Sequence, residues 1–276
     1  MLLYNNTIID ILDGGLGNKF NGLFQGIYLH KKLNKNLVIN NVRNHSSDFN
    51  LKLLFDFDYE YIENTITELD NKLDLGIPIY LHKNHLNYKR RVIVNNNNYV
   101  DTTFVFLTDS LGVSGDILKE YYKSIKITQS ILDQVSNFVN QYNISKETLS
   151  LHIRGSDSPG RDENIRTSLD FISKNKDKRF FICTDEKTIE DQLRGNPNLI
   201  FYNKTSYTEK YDKSAGWNGA IVDNDNRKWN YNAARNEQSI VEAFIEMLIL
   251  SKTTCCSNNR STFLAWSKRF GESGLI

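Results

Sequence analysis

A chain of 276 residues exceeds one small domain and is long enough for two, and its 39% hydrophobic and 12% aromatic content can fill real cores. A formal net charge of +1 lacks the basic field that broad nucleic-acid binding needs. The three cysteines, Cys183 and the adjacent pair Cys255-Cys256, exclude a disulfide framework, fit a reducing compartment and show no zinc-ligand spacing. No apolar run approaches the roughly 20 residues of a membrane span. Met1-Leu2-Leu3-Tyr4 meets Asn5-Asn6 at once and does not read as a secretory signal, so a cytoplasmic protein is expected.

Thr7 to Leu12 reads as a short apolar strand, followed by Asp13-Gly14-Gly15-Leu16-Gly17-Asn18. From Asn18 to Lys32 the residues Phe20, Leu23, Phe24, Ile27 and Tyr28 recur at helical spacing, and Leu37-Val38-Ile39 is a second strand. This is a β-α-β opening. Residues Asn40 to Asn98 are polar and loop-rich, interrupted by Gly76 and Pro78, with Asn95 to Asn98 a low-complexity turn. Tyr99 to Leu107 is expected as a strand, and Ile117 to Ile125 and Gln129 to Tyr142 as helices. A domain boundary is expected near residue 127, giving an N-terminal domain over 1–127 and a C-terminal domain over 128–276.

The alternation then continues. Thr148 to Leu151 leads a strand that ends at Arg154, a helix is expected around Asn164 to Lys174, and Arg179 to Cys183 is the next strand. Glu186 to Leu193 reads as a helix, Leu199 to Tyr202 as a short strand, and Thr205 to Tyr231 as a long polar and aromatic connection. Arg235 to Ser251 is a strongly apolar helix, Thr253 to Cys256 a short strand, and Ser261 to about Phe270 a last helix. Strands alternating with helices in both halves predict an α/β protein of two Rossmann-like domains with parallel sheets.

Three strand ends carry chemistry. In Leu151-His152-Ile153-Arg154-Gly155-Ser156-Asp157, strand alternation points His152 and Arg154 the same way, and the glycine turn lets Asp157 fold back toward the arginine. An arginine fork at the C-terminal end of a strand suits a phosphate, whose two oxygens match its planar donors; a surface Arg–Asp ion pair is the plainer alternative. In Phe181-Ile182-Cys183-Thr184-Asp185-Glu186 the carboxylate can accept both N1–H and the exocyclic amine of a guanine edge. Capping of the next helix by Thr184 or Asp185 is the competing use. Ser261-Thr262-Phe263 opens the last helix, where two hydroxyls and unpaired N–H groups could cradle a diphosphate, or where Ser261 is simply the N-cap.

Other patterns carry less. Gly14-Gly15-Leu16-Gly17-Asn18 fails the dinucleotide fingerprint, because its third glycine would fall at Phe20 and Ile39-Asn40-Asn41 supplies no acid for a ribose. Its glycines still let a ligand approach the backbone at a helix N-terminus, or serve only a tight turn. Asp223-Asn224-Asp225 matches the D-x-D pattern of metal-dependent sugar transferases but lacks an adjacent hydrophobic strand, and Asp56-Phe57-Asp58 shares that weakness. His30, His45, His82 and His85 have no metal spacing. The triplet Asn203-Lys204-Thr205 is a sequon expected by chance in so Asn-rich a chain. A G-x-S-x-G elbow and a P-loop lysine are both absent from the sequence.

The order of these blocks resembles the fucosyltransferase superfamily that includes the protein O-fucosyltransferases and the nodulation-type, α1,6- and α1,2-fucosyltransferases. Gly14 to Lys19 with its helix and strand is similar to the N-terminal G-x-G-N-Q block. His152-Ile153-Arg154-Gly155-Ser156-Asp157 is similar to the H-x-R motif, and Thr184-Asp185 and Ser261-Thr262-Phe263 to the third and fourth blocks. The resemblance implies a GT-B-type fold of two facing Rossmann-like domains, the N-terminal one on the acceptor side and the C-terminal one binding the donor. It implies inverting transfer of fucose from GDP-fucose to a glycan acceptor, with no metal and no other cofactor.

Carried onto this chain, Arg154 would bind the donor diphosphate and stabilise the leaving group, and His152 would contact the donor near its ribose or phosphate. Asp157 would fix Arg154 or its loop, Thr184 and Asp185 would meet the guanine, and Ser261 and Thr262 the phosphate. Phe263 would pack near the base. Gly15 and Gly17 would bind the donor, and Asn18 would face the sugar and acceptor as a catalytic residue alongside Arg154 and Asp157; an asparagine cannot serve as the base that some members carry at this position, so the base is unassigned. The alternatives are another nucleotide sugar, a silent nucleotide-sugar or glycan-binding protein, and a metal-dependent transferase using Asp223 and Asp225.

Overall fold

The computed structural model describes residues 7–12, 15–42, 49–64, 79–80, 104–107, 119–155, 161–210, 221–222, 228–229, 233–257 and 261–276. The chain divides into two compact units, with the main break between Lys126 and Ile127 and with Phe49 grouped with the second unit.

The first unit is built on a five-stranded parallel sheet. Its strands are β1 (Thr7–Leu12), β2 (Asn36–Val42), β3 (Glu60–Asn64), β4 (Ile79–Tyr80) and β5 (Phe104–Leu107), in the order β3-β2-β1-β5-β4. Strand β1 is central, with Ile9 opposite Val38 on one side and Val105 on the other. Helix α1 (Leu16–Leu33) connects β1 to β2 and buries Phe20, Leu23, Phe24 and Ile27 completely, the stripe that the sequence periodicity marks. It ends at Asn34, whose left-handed φ of 50° lets a backbone N–H return to the carbonyl of His30.

The expected helix from Ile117 to Ile125 lies partly outside the described residues, which resume at Lys119. Among the described residues Lys119 is helical, and a 3-10 turn, Tyr122–Ser124, follows it, after which Ile125 is extended. Tyr122 is fully buried edge-on to Phe24 at 4.8 Å, and Tyr121 meets Tyr28 at 5.5 Å, so both side chains pack against α1.

The second unit holds a four-stranded parallel sheet of β6 (Leu149–Ile153), β7 (Phe180–Thr184), β8 (Leu199–Phe201) and β9 (Thr254–Cys255), ordered β8-β7-β6-β9. Strand β7 is buried at every residue, as expected of a parallel strand covered on both faces. Its helices are α2 (Gln129–Gln141), α3 (Arg161–Lys174), α4 (Lys187–Leu193), α5 (Glu237–Ser251) and α6 (Thr262–Ser273). Helix α5 is buried almost all round, through Ile240, Phe244, Ile245 and the run Met247 to Leu250. Phe270 of α6 packs edge-on to Phe244 at 5.6 Å. The connection from 205 to 231, expected as a long polar and aromatic segment, contributes short antiparallel pairs: Glu209–Lys210 with Ala233–Ala234, and Ile221–Val222 with Lys228–Trp229.

The strand order places the functional question. From β6 the chain steps outward through β7 to β8, then returns to add β9 on the other side of β6. That reversal makes a topological switch point between β6 and β9, where the C-terminal ends of parallel strands leave a crevice for ligands.

Candidate functional site

The end of β6 is tied across the switch point to the residues just beyond β9. The backbone N–H of His152 donates to Ser257 Oγ at 2.6 Å, and Cys256 N–H donates to the Ser150 carbonyl at 2.8 Å. The His152 ring is buried and stacks on Phe263 in the first turn of α6, with centroids 4.7 Å apart and planes 14° from parallel. Strand β6, the β9 turn and the start of α6 therefore form one connected surface. Ser261 is the N-cap of α6, its Oγ accepting the Leu264 N–H at 3.1 Å, so this hydroxyl already has the capping role; Thr262 beside it is exposed.

The other neighbour of β6 contributes Asp185. This carboxylate does not cap α4. The N-cap there is Glu186, with no side-chain cap bond, and Asp185 Oδ1 instead accepts the Gly155 N–H at 2.7 Å. Its other oxygen, Oδ2, lies 3.8 Å from the guanidinium of Arg235. Thr184 is buried, and its Oγ1 accepts the Glu186 N–H at 3.3 Å. Arg154, half-buried, stands between the buried Ile153 and Gly155. Gly155 has a steric reason to be glycine. A Cβ there would lie 2.5 Å from Glu186 Oε2, 2.7 Å from Glu186 Cβ and 2.8 Å from Ile189 Cδ1.

Of the residues expected from the sequence, the second unit thus brings together His152, Arg154, Thr184, Asp185, Ser261, Thr262 and Phe263 around the ends of β6 and β7 and the start of α6. Asp157 lies outside the described residues, as do Asp223, Asp225, His45, His82 and His85. Gly15, Gly17 and Asn18 belong to the first unit, at the N-terminus of α1. Gly15 is its N-cap in an extended conformation, and its carbonyl accepts the N–H groups of Asn18 at 2.9 Å and Lys19 at 3.0 Å. A Cβ at Gly15 would meet nothing within 4 Å, so neither sterics nor backbone conformation demands glycine at this position. Lys19 is fully buried and donates to Asn41 Oδ1 at 2.7 Å at the end of β2, a buried cation beneath the glycine turn.

Sequence reasoning missed a second layer under Thr184 and Asp185. Lys204, three residues beyond β8, is buried and lies 2.7 Å from Glu246 Oε1 and 3.0 Å from Glu190 Oε2. Its Nζ also donates to the Thr184 carbonyl at 2.7 Å. Arg194 pairs with the other oxygen of Glu190. Burial pulls the Lys204 ammonium down, but Glu246 and Glu190 together hold it above its ordinary value. Burial raises the Glu246 carboxyl to about 7, against the lowering by Lys204. One turn earlier on α5, Glu242 accepts from Thr205 N–H and Oγ1, both at 2.8 Å, and from Ser206 N–H at 3.0 Å. Two glutamates four residues apart inside an apolar helix were the available signal, since buried charges must be paired.

Cys183 is fully buried; its thiol is pushed well up by burial and by the Glu246 carboxylate, which makes it inert as a nucleophile. Among the described residues, no group of three His, Cys, Asp or Glu could hold a metal ion. No described helix is long and apolar enough to cross a membrane.

Two Rossmann-like α/β units with parallel sheets make up the GT-B-type fold class, and solved structures share that fold. NodZ α1,6-fucosyltransferase soaked with GDP-fucose matches with a TM-score of 0.58 at 15% identity, over 96% of this chain and 92% of that one. The fucosyltransferase NodZ from Bradyrhizobium gives the same TM-score of 0.58 and 15% identity, over 95% and 92% of the two chains. POFUT1 in complex with GDP matches with a TM-score of 0.50 at 11% identity, over 97% of this chain and 94% of that one. No protein-family model and no curated protein sequence matches the chain.

Proposed function

We propose that this chain is an inverting, metal-independent glycosyltransferase that moves fucose from GDP-fucose to a glycan or glycoconjugate acceptor. The observation that carries the reading is the linked cluster at the switch point of the second unit, where Arg154 leaves β6 between the His152–Phe263 stack and the Gly155–Asp185 bond. It is supported by the fold shared along nearly the whole chain with a fucosyltransferase soaked with GDP-fucose. Residues 128–276 are then the donor side, and residues 1–127 the acceptor side.

The chemistry assigns the roles. An acceptor hydroxyl oxygen bonds to the anomeric carbon as the bond from that carbon to the phosphate oxygen breaks; the electron pair leaves on the diphosphate, and the hydroxyl proton passes to a base that no residue is assigned to. Negative charge therefore grows where Arg154 can meet it with two parallel donors. Thr262 adds a hydroxyl at the N-terminus of α6, where helix N–H groups favour phosphate. Phe263 offers an apolar plane for the base, and Asp157 would steady the arginine loop. Gly15, Gly17 and Asn18 would serve the sugar and acceptor, where the open backbone at Gly15 allows close approach. We assign the work to the cytoplasm on the three free cysteines, Cys183, Cys255 and Cys256.

A second reading keeps the fold and changes the nucleotide. Asp185 already holds the Gly155 N–H with one oxygen and faces Arg235 with the other, which leaves it less capacity to read a guanine edge. A thermal-shift panel separates the two. GDP and GDP-fucose should stabilise the protein while UDP does not; equal shifts would favour the second reading, and no shift with any nucleotide would end both. Fucose transfer at full rate in excess chelator is expected, and loss of transfer there would return Asp223 and Asp225 to consideration.

A further inference from the structure

Lys204 stands where the sheet runs out. Strand β8 ends with Phe201 opposite Ile182, two residues short of the end of β7 at Thr184. Among the described residues, the β8–β7 ladder goes no further than Ile182. The Thr184 carbonyl is met instead by the Lys204 ammonium at 2.7 Å. The ammonium is itself held by Glu246 at 2.7 Å on α5 and Glu190 at 3.0 Å on α4, with the Tyr207 ring 5.2 Å away. Arg194 closes the cluster on Glu190. The next residue after Thr184 is Asp185, which holds the Gly155 N–H beside Arg154.

We propose that Lys204 is a positioning residue of the donor site: pinned by Glu190 and Glu246, it fixes the Thr184–Asp185 peptide, and through the Asp185–Gly155 bond it sets where Arg154 leaves β6. A buried ammonium is costly to desolvate, and a hydrophobic side chain of similar length would fill the same space at less cost. The ammonium adds direction, because it donates to Thr184 and Glu246 and pairs with Glu190, so partners on three different elements hold one donor group in a single place. Thr184, α4 and α5 are thereby locked to the segment just beyond β8. The donor part of this inference rests on the glycosyltransferase reading above; the positioning part does not.

The test uses Lys204→Met alone and in a Lys204→Met/Glu190→Gln/Glu246→Gln background, which removes the stranded carboxylates if the single variant folds poorly. Amide exchange at Gly155 reports the positioning without any ligand, and GDP titration reports its consequence. In the triple variant, Gly155 exchange should quicken at least about tenfold while Ile200 in β8 keeps its protection, and the GDP Kd should rise by a similar factor. Unchanged Gly155 exchange in a folded variant would overturn the positioning role. Faster exchange with an unchanged GDP Kd would overturn its link to the donor. Absence of GDP binding by the parent chain, with Gly155 exchange still quickened by the substitution, would overturn the glycosyltransferase reading and leave Lys204 as the residue that positions Asp185.

Discussion

The Asp185 carboxylate accepts the backbone N–H of Gly155 at 2.7 Å, joining the ends of two adjacent parallel strands through one charge-assisted bond. Asp185→Asn keeps the shape and removes the charge, so the bond weakens and the pairing toward Arg235 at 3.8 Å is lost. Hydrogen bonds to charged groups contribute about 1.5–3 kcal/mol, and partial exposure of this carboxylate places the expected loss at the low end. The donor KM should rise, and kcat should fall by less than in Arg154→Ala, because the weakened bond shifts the arginine without removing it. Steady-state kinetics on the variant check this, and a fall in kcat with an unchanged KM would remove Asp185 from donor binding.

Gly155→Ala should be among the most disruptive single-methyl substitutions in the chain. Its Cβ would lie 2.8 Å from Ile189 Cδ1, in the core of the second unit, and 2.7 Å from Glu186 Cβ. Helix α4 or the end of β6 must shift, at a cost of about 1–3 kcal/mol for overpacking. Because Arg154 is the preceding residue, GDP affinity should fall more than stability alone explains. Urea unfolding and GDP titration together check it; Gly15→Ala, where a Cβ meets nothing within 4 Å, is the matched control expected to fold normally.

The parallel sheets and their helices were legible because the signals are local. Phe20, Leu23, Phe24 and Ile27 lie at helical spacing within one segment, and β7 and β8 of the second unit are compact apolar blocks. The switch-point cluster was legible in part, since each motif sits at a strand end, but its pairing was not. Asp185 could cap α4 or cross to Gly155, and only the parallel register, with His152 opposite Cys183 and Ile153 opposite Thr184, brings the second partner near. Lys204 was hidden more completely. It is 42 residues along the chain from Glu246, so no short window of sequence contains the cluster, and its triplet stood out only as a chance sequon.

The buried Glu246 gives stability a pH dependence whose sign is set by burial. Its carboxyl is raised from 4.5 to about 7 in the folded chain, so the folded state binds a proton that the unfolded chain has released. The resulting stabilisation is complete below about pH 4.5 and is lost as pH rises to about 7. Glu246→Gln should therefore flatten the stability profile between these values relative to the parent. Urea midpoints measured on both proteins across this range check it; parallel profiles would show that Glu246 does not titrate there.

Phe263 stacks on His152 and links α6 to the end of β6. Aromatic pairs of this kind contribute about 0.5–1.5 kcal/mol beyond burial. Phe263→Leu keeps most of the apolar volume and loses the stack, so stability should change by about 1 kcal/mol or less while donor affinity falls. Phe263→Tyr, which restores the plane, should recover the affinity. A GDP Kd unchanged in Phe263→Leu would confine the ring to packing.

Arg154 offers the sharpest separation of folding from function. Its side chain is half-buried, so Arg154→Ala should leave the unfolding midpoint near that of the parent. In transfer it should lose a donor aimed at charge that develops only as the sugar–phosphate bond breaks, on the order of 2.7–4 kcal/mol, or about 10²–10³ in kcat. Arg154→Lys keeps the charge and gives up the planar pair of donors, so it should recover only a fraction of that rate. GDP binding by either variant should weaken less than kcat falls, because the ground-state diphosphate carries less charge on the breaking bond than the transition state does. Transfer by Arg154→Ala within about threefold of the parent would move the leaving-group role to another residue and reduce this arginine to a ligand for the bound nucleotide.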